Sequence, residues 1–323
     1  MKLRQLRYVL EIARHSNHLS AAAQALHTSQ PGVSRQIQLL EAELGFEIFR
    51  RTRNRIIGLT NPGLRVLEVA KRVVTDVGAL GSLKEDMTSA NQGVLTIGTT
   101  HTQARYVLPG VVEAFMKTYP GVELVLKQGN PEEICGLVDA GEADLAIGPD
   151  TISKWPNLVR LSCFSLPRSV VAKRRHPILD LPELTLPAIV SYPLITYDPR
   201  YSGSWQVMKA FRDAGLKPRI ILSAIDADVC KTYIELGLGI GILTTITYDP
   251  KRDLGLGARD AQHLFEPSTV VISLRSNNYL RRYMLDFVRM VAPRLTPTVV
   301  QDALQHPETI RNVPESSSAE GGR

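Results

Sequence analysis

The spacing of apolar residues changes once along the chain, near residue 93, and this change constrains the fold most. Before it, apolar residues recur at the three-to-four-residue spacing of amphipathic helices, interrupted by one short arginine-rich segment. After it, short apolar runs alternate with helical stretches, as in α/β domains whose strands are joined by helices. The sequence therefore predicts a helical N-terminal head followed by a separate α/β body.

Three helices are predicted in the head, over 3–15, 19–26 and 30–44. The third has a good N-cap in Ser29, and Pro31 falls in its first turn, where the missing N–H costs nothing. Its outer face is polar, with the forked donors and acceptors that major-groove reading requires. That face consists of Gln30, Ser34, Arg35 and Gln38. Two short helices separated by a tight break indicate a helix-turn-helix, and this face together with Ser29 is predicted to contact DNA.

An arginine-rich segment follows over residues 49–60, with strand-like flanks and Asn54 near its tip. We interpret it as a two-stranded wing in which Arg51, Arg53 and Arg55 reach phosphates or a minor groove. A run of positive charge is usually only a solvated face. Its position directly after a helix-turn-helix favours DNA binding.

Basic charge is concentrated in the same part of the chain. Of 38 Lys/Arg and 32 Asp/Glu, the first ninety residues hold 13 and 8, so most of the net charge of +6 lies there. This distribution is typical of a polyanion-binding head on a near-neutral body. A basic surface without a partner is the alternative interpretation.

A long helix is predicted from Thr60 to Met87, with Pro62 in its first turn and an apolar stripe along its length. Such a helix is expected to pair with a second copy of itself, which would present two recognition helices to a two-fold symmetric site. Packing against its own chain is the alternative. The predicted organisation is a DNA-binding domain over 1–59, and a linker helix and hinge over 60–92.

The body is predicted as two α/β lobes with parallel sheets and helices on both faces, because strands and helices alternate throughout. Lobe I comprises about 93–163 and 268–295, and lobe II comprises about 164–267. Together they form a small-molecule-binding domain over 93–306, since the cleft between two such lobes is a usual ligand site. Residues 307–323, rich in serine and glycine, are predicted to be a disordered tail.

No catalytic constellation is evident, because the nucleophile-elbow, metalloprotease, P-loop and dinucleotide motifs are all missing from the sequence. The glycine-rich run Gly237–Gly241 precedes a predicted strand, so we interpret it as a close-packing turn. His101 and His176 have no partners at metal-ligand spacing. We therefore expect neither an enzyme nor a metal or other cofactor.

The chain is expected to reside in the cytoplasm. It has no run of about 18 uncharged apolar residues, and charges interrupt the N-terminal segment where a signal peptide needs an apolar core. Its three cysteines, Cys135, Cys163 and Cys230, lie far apart, which argues against a disulfide framework and a zinc site. Cys135 and Cys230 lie in helical patterns and are interpreted as core residues rather than as thiol sensors.

A ligand site is predicted where the first strand of the body ends and its first helix begins. Thr100, Thr102 and Gln103 follow that strand and offer uncharged donors at a helix N-terminus, where the helix dipole favours an anion. Uncharged donors suit an oxyanion that is held without a salt bridge. The alternative is that Thr102 only caps its helix.

The head also resembles a known family over a long run of residues. This run comprises Ala21-Ala22-Ala23, Leu26-His27-Thr28-Ser29-Gln30-Pro31-Gly32-Val33-Ser34-Arg35-Gln36-Ile37, Leu40-Glu41, Leu44-Gly45, Ile48-Phe49-Arg50-Arg51 and Thr60-Asn61-Pro62-Gly63. It is similar to the DNA-binding head and linker start of LysR-type transcriptional regulators, and the resemblance covers about residues 1–295. It implies a winged helix-turn-helix, a linker helix and a two-lobed effector domain like a periplasmic binding protein. Promoter DNA, RNA polymerase and other copies of the chain, in a dimer or tetramer, are the implied partners.

Within that family the chain resembles the CysB-like branch, through 99–106, 225–233 and 236–239. This resemblance implies control of sulfur assimilation or cysteine biosynthesis in response to sulfate, thiosulfate or acetylated serine. It places Thr100, Thr102 and Gln103 at anion-binding positions and adds Ser202 from the second lobe, where the branch has a threonine. Pro149 also replaces a threonine and lacks both the hydroxyl and the N–H, which leaves room for a different sulfur-linked effector.

Three alternatives to this interpretation differ in functional class. A two-lobed solute-binding protein would fit the body but has no use for a basic helix-turn-helix. An α/β enzyme would need the catalytic set that is missing. A LysR-type regulator of an unrelated metabolic pathway, with a different effector, keeps every structural expectation and changes only the regulated genes.

Overall fold

The computed structural model describes residues 1–52, 55–89, 91–151, 155–198, 204–276 and 278–306. The chain forms two compact units, Met1–Thr88 and Ser89–Arg323. Among the described residues, no helix has both the length and the apolar character needed to cross a bilayer.

The first unit is the predicted winged helix-turn-helix. Its elements are α1 (Leu3–Arg14), α2 (Leu19–Ala25), α3 (Gln30–Leu44), β1 (Phe49–Thr52), β2 (Arg55–Leu59) and α4 (Asn61–Ser89). Strands β1 and β2 pair antiparallel as the wing. The apolar stripe of α3 is buried, with Val33, Ile37 and Leu40 fully inaccessible in one core with residues of α1 and α2. The Thr60 hydroxyl accepts from the Gly63 N–H at 2.9 Å, which caps the start of α4 as its sequence indicates.

The second unit contains the predicted α/β body. In chain order its elements are β3 (Gln92–Thr99), a π-helical turn (Gln103–Val107), α5 (Leu108–Thr118), β4 (Gly121–Gln128), α6 (Pro131–Ala140), β5 (Leu145–Pro149), β6 (Leu158–Leu166), β7 (Arg168–Lys173), α7 (Leu186–Val190), β8 (Leu194–Tyr197), α8 (Ser204–Asp213), β9 (Ile220–Ala224), α9 (Ala227–Glu235), β10 (Ile240–Thr244), β11 (Leu256–Asp260), β12 (Ser268–Arg275), α10 (Arg282–Val291) and α11 (Pro297–Gln305).

Two five-stranded sheets form the two lobes. The lobe I sheet has the order β4-β3-β5-β12-β6, and the lobe II sheet has the order β11-β7-β10-β8-β9. The sheets are mixed, so the prediction of parallel sheets is only partly correct. Strand β3 pairs parallel with β4 and β5, and β8 pairs parallel with β9 and β10. However, β12 runs antiparallel to β5 and β6, and β7 runs antiparallel to β10 and β11. Strands β7 and β12 each follow a point where the chain passes from one lobe to the other. They therefore enter their sheets from the opposite end to the strands that are joined by helices.

Several boundaries differ from the sequence expectations. Strand β6 continues to Leu166, so lobe I extends to Leu166 rather than to 163. The predicted hinge is shorter than expected, because α4 continues to Ser89 and β3 already begins at Gln92. Helices α7 and α11 and strand β11 are further elements that the alternating pattern did not indicate. The predicted disordered tail, 307–323, lies outside the described residues.

The glycine-rich run before β10 is a close-packing turn, as predicted. Gly237 has a φ of +84°, which only glycine adopts easily. A Cβ on Gly239 would lie 2.5 Å from the carbonyl oxygen of Pro193, so the two backbones meet without room for a side chain.

Candidate functional site

The outer face of α3 presents the predicted base-reading residues. Gln30, Arg35 and Gln38 are exposed and Ser34 is half-buried on the same helix. Ser29 is the N-cap and accepts from the Gly32 N–H at 3.3 Å, so its side chain is used at least partly for the helix start. The Ser20 hydroxyl lies 3.0 Å from Gln30 Oε1, which ties α2 to the first turn of α3. The outer face of α3 is therefore polar and solvent-accessible. The contacts of Ser29 and Gln30 hold the N-terminal end of the helix in place.

A buried glutamate joins α3 to the wing. Glu41 Oε1 accepts from the backbone N–H groups of Ile48 and Phe49 at 2.8 and 3.1 Å, and Oε2 lies 2.7 Å from Arg51 Nη2. Arg51 is predicted from the sequence only as a DNA contact, and the role of Glu41 is not among the predictions. The signal was available, because an acidic residue follows Leu40 on an otherwise apolar helix face and precedes an arginine-rich segment.

The wing arginines therefore differ in their surroundings. Arg51 is half-buried against Glu41 and attaches the wing to α3. Its contact with DNA stays a prediction. Arg55 is exposed at the start of β2. Arg53 and Asn54 lie outside the described residues.

The predicted ligand residues of lobe I lie together at the carboxyl end of β3. Thr100 and Gln103 are 5% and 1% exposed, and the Thr100 hydroxyl donates to Gln103 Oε1. Thr102 is half-buried, and no described residue hydrogen-bonds its hydroxyl. The Thr102 side chain therefore does not cap the helix, and its contact with a ligand stays a prediction. The helical segment includes a π-helical turn before it continues as α5, and such turns are frequent at functional sites.

Pro149 lies at the same edge of the lobe I sheet. Strands β3 and β5 pair through Thr99 and Ile147, which places the end of β5 beside Thr100. A Cβ on Gly148 would lie 3.3 Å from Thr100 Cγ2, so the two segments are in close contact. Ser202, the predicted contribution of lobe II, lies outside the described residues.

A polar network that the sequence analysis missed connects the two lobes beside this edge. Asp228, near the start of α9 in lobe II, receives three groups from lobe I: His101 Nε2 at 3.1 Å, Arg105 Nε at 2.7 Å and the Tyr106 hydroxyl at 2.6 Å. Lys231 of α9 lies 3.1 Å from the same Tyr106 hydroxyl. We call these five residues the inter-lobe network. The sequence carried a partial signal, since His101, Arg105 and Tyr106 share one helical segment.

Lys231 is itself held firmly within lobe II. Its ammonium group donates to the Thr247 carbonyl at 2.9 Å and to both carboxylate oxygens of Asp253 at 3.0 and 3.1 Å. Burial disfavours its charged form, but the hydrogen bonds with Tyr106 and Asp253 outweigh this effect and raise the pKa of Lys231. Lys231 is therefore charged near neutral pH.

Tyr106 and Asp228 are also in their ordinary charge states. Burial and the hydrogen bond to Asp228 raise the pKa of Tyr106, so its hydroxyl keeps its proton. Burial disfavours the charged form of Asp228, but hydrogen bonds from Tyr106 and His101 outweigh it and lower the pKa of this carboxyl. An ionised Asp228 thus faces neutral and cationic donors from both lobes.

His101 has carboxylate neighbours that its sequence context did not indicate. The ligand atoms of His101, Asp226 and Asp228 lie within 4.8 Å of one another, which corrects the expectation that His101 has no such partners. Both carboxylates already serve other donors. Asp226 accepts from the Val229 N–H at 2.9 Å as the N-cap of α9, and Asp228 accepts from Arg105 and Tyr106. The arrangement is that of a hydrogen-bonded bridge between lobes.

Cys135 and Cys230 are buried, as predicted for core residues, and Cys163 is buried as well. Burial raises the pKa of the Cys163 and Cys230 thiols to about 12 and also raises that of Cys135. Thiols that stay protonated are poor nucleophiles, so these residues have the properties of packing groups.

Comparisons with known proteins agree with this architecture. Residues 3–64 match the family model described as bacterial regulatory helix-turn-helix protein, lysR family, and residues 88–296 match the LysR substrate binding domain. The HTH-type transcriptional regulators SsuR and CysB of Burkholderia cenocepacia are each 43% identical over 94% of this chain, covering 99% and 97% of those proteins. The solved cofactor-binding domain of the Cbl transcriptional regulator is 39% identical, with a TM-score of 0.64 over 66% of this chain and 93% of that one. The expected resemblance to the CysB-like branch is confirmed, and the chain belongs to the LysR family of helix-turn-helix transcriptional regulators.

Proposed function

We propose that this regulator controls genes of sulfur metabolism, for cysteine biosynthesis or the assimilation of sulfate or sulfonate, in response to a small anion bound between the lobes. The observation that carries the proposal is the turn after β3, where Thr100, Thr102 and Gln103 place uncharged donors at one sheet edge. The similarity to regulators named CysB, SsuR and Cbl over most of the chain supports the sulfur assignment. Contact with RNA polymerase at the promoter is part of the same proposal.

The effector is proposed to be sulfate, thiosulfate, acetylserine or another small sulfur-linked anion. A thermal-shift and calorimetric panel of sulfate, thiosulfate, O-acetylserine, N-acetylserine and adenylyl sulfate on the full chain tests this. Binding of one of them supports the assignment. Pro149 favours an outcome in which sulfate itself binds weakly, because its nitrogen cannot donate. If no member binds, the regulator belongs to the alternative class, which serves an unrelated pathway.

Two arginines of the head are expected to contribute differently to DNA binding, Arg35 to base recognition and Arg55 to phosphate binding. Arg35→Ala on α3 should relax base preference, because Arg35 is exposed on the outer face of the recognition helix. Arg55→Ala on the wing should weaken binding to all sequences and lower the salt slope by about one unit, as loss of a phosphate contact does. Fluorescence anisotropy with specific and scrambled duplexes at several salt concentrations measures both effects. A double variant that binds its promoter like the parent would contradict this assignment of the head.

Self-association through α4 is proposed because the helix leaves apolar side chains uncovered. Val69, Leu80 and Leu83 are 47%, 66% and 40% exposed. We expect a dimer or tetramer by light scattering at micromolar concentration, and dissociation toward monomer in Leu80→Lys, because a charge would enter an apolar interface. The control Glu68→Lys places the same side chain on an exposed position of the same helix and should keep the parent mass. A monomeric parent would refute the proposal.

A further inference from the structure

The residues that bridge the lobes alternate with the predicted effector residues along one short segment. Within residues 100–107, Thr100, Thr102 and Gln103 belong to the proposed effector site, and the three residues that contact Asp228 occupy positions between and directly after them. A movement of this segment therefore changes both sets of contacts. The effector site and the inter-lobe network therefore share one segment of the chain.

The lobe II side of the bridge has several contacts within its own lobe. Asp228 lies in the first turn of α9, whose N-cap is Asp226. Lys231 is only 8% exposed and is anchored by Asp253 and Thr247. On the lobe I side, the segment includes a π-helical turn, whose hydrogen-bond pattern departs from that of an α-helix. Asp228 and Lys231 are therefore held in place by lobe II itself.

We propose that Asp228 is a positioning residue, which holds the effector-binding segment of lobe I against lobe II and thereby sets how far the cleft is closed. This proposal rests on the proposed function, because it assumes that the segment binds an effector. Three donors from lobe I converge on one carboxylate, so removal of that carboxylate releases all of them together. An effector that contacts both lobes binds the closed arrangement best, and its apparent affinity falls with the closed fraction.

The decisive experiment is hydrogen–deuterium exchange on the full-length protein without any ligand. Asp228→Asn keeps the size of the side chain but removes the negative charge that faces Arg105 and Lys231. Tyr106→Phe keeps the ring and removes the hydroxyl shared by Asp228 and Lys231. Each should increase exchange several-fold at backbone amides of 101–107, and Asp228→Glu should restore most of the protection. The control is Asp213→Asn, whose carboxylate pairs with Lys209 of the same lobe at 3.8 Å.

Affinity provides the second readout. Calorimetry with inorganic sulfate, or with the member of the anion panel that binds the parent, should show a dissociation constant about tenfold higher in Asp228→Asn, as expected when the closed fraction falls to a tenth. The melting temperature should match that of the control. Unchanged exchange over 101–107 in both Asp228→Asn and Tyr106→Phe would overturn the positioning role. A parent that binds no anion would remove the effector proposal alone, because the exchange result is obtained without ligand.

Discussion

Glu41→Ala is expected to abolish promoter binding and to lower the free energy of unfolding of the head by roughly 2–6 kcal/mol. The substitution leaves the N–H groups of Ile48 and Phe49 without their acceptor, and each unsatisfied buried donor costs about 1–3 kcal/mol. It also releases Arg51, which sits 2.7 Å from the carboxylate. The wing then loses its attachment to α3. Circular dichroism melting and fluorescence anisotropy with promoter DNA measure the two effects.

Two further variants separate folding from wing placement. Glu41→Gln keeps one oxygen acceptor for the two N–H groups but loses the charge opposite Arg51, so stability should fall less than DNA affinity. Glu43→Ala removes an exposed carboxylate from the same helix and should leave both properties near the parent values. Parent-like DNA binding in Glu41→Ala would show that the wing needs no anchor on α3.

The sequence predicted the head well because its signals are local. The cap at Ser29, the apolar stripe of α3 and the arginine-rich wing each lie within one element, so spacing and capping were sufficient. The place of Glu41 on the apolar face of α3 indicates a buried carboxylate, but residue types do not identify its partners, which are backbone N–H groups seven and eight residues away. Residue type alone cannot separate a buried acceptor from a solvated charge.

The body shows the same limit at longer range. The alternation of strands and helices predicted two α/β lobes, but sheet direction depends on where the chain passes between the lobes, so the antiparallel strands β7 and β12 were not predicted. The inter-lobe network joins His101 and Asp228, which lie 127 positions apart in the chain. Only the folded arrangement of the two sheets brings them together. The place of Thr100 at the edge of the lobe I sheet was predictable, because this residue directly follows strand β3.

Thr102→Val is expected to raise the dissociation constant of the anionic effector at least about tenfold without lowering the melting temperature. A hydrogen bond to a charged ligand contributes about 1.5–3 kcal/mol, and ~1.4 kcal/mol corresponds to a factor of ten. Valine keeps the volume of threonine, and no described residue hydrogen-bonds the Thr102 hydroxyl, so nothing in the free protein is lost. Isothermal calorimetry with the anion that binds the parent measures the change, and DNA binding without effector should be unaffected.

The matched control is Thr118→Val, at the end of α5 in the same lobe. Its hydroxyl donates to the Ala114 carbonyl at 2.9 Å on an exposed surface, far along the helix from the effector-binding turn. This variant should bind the effector like the parent, and Thr102→Ser should restore affinity by returning the hydroxyl. Equal affinity in Thr102→Val and Thr118→Val would show that the Thr102 hydroxyl does not touch the ligand. The anion would then have to be held by Thr100 and Gln103, whose mutual hydrogen bond must open to receive it.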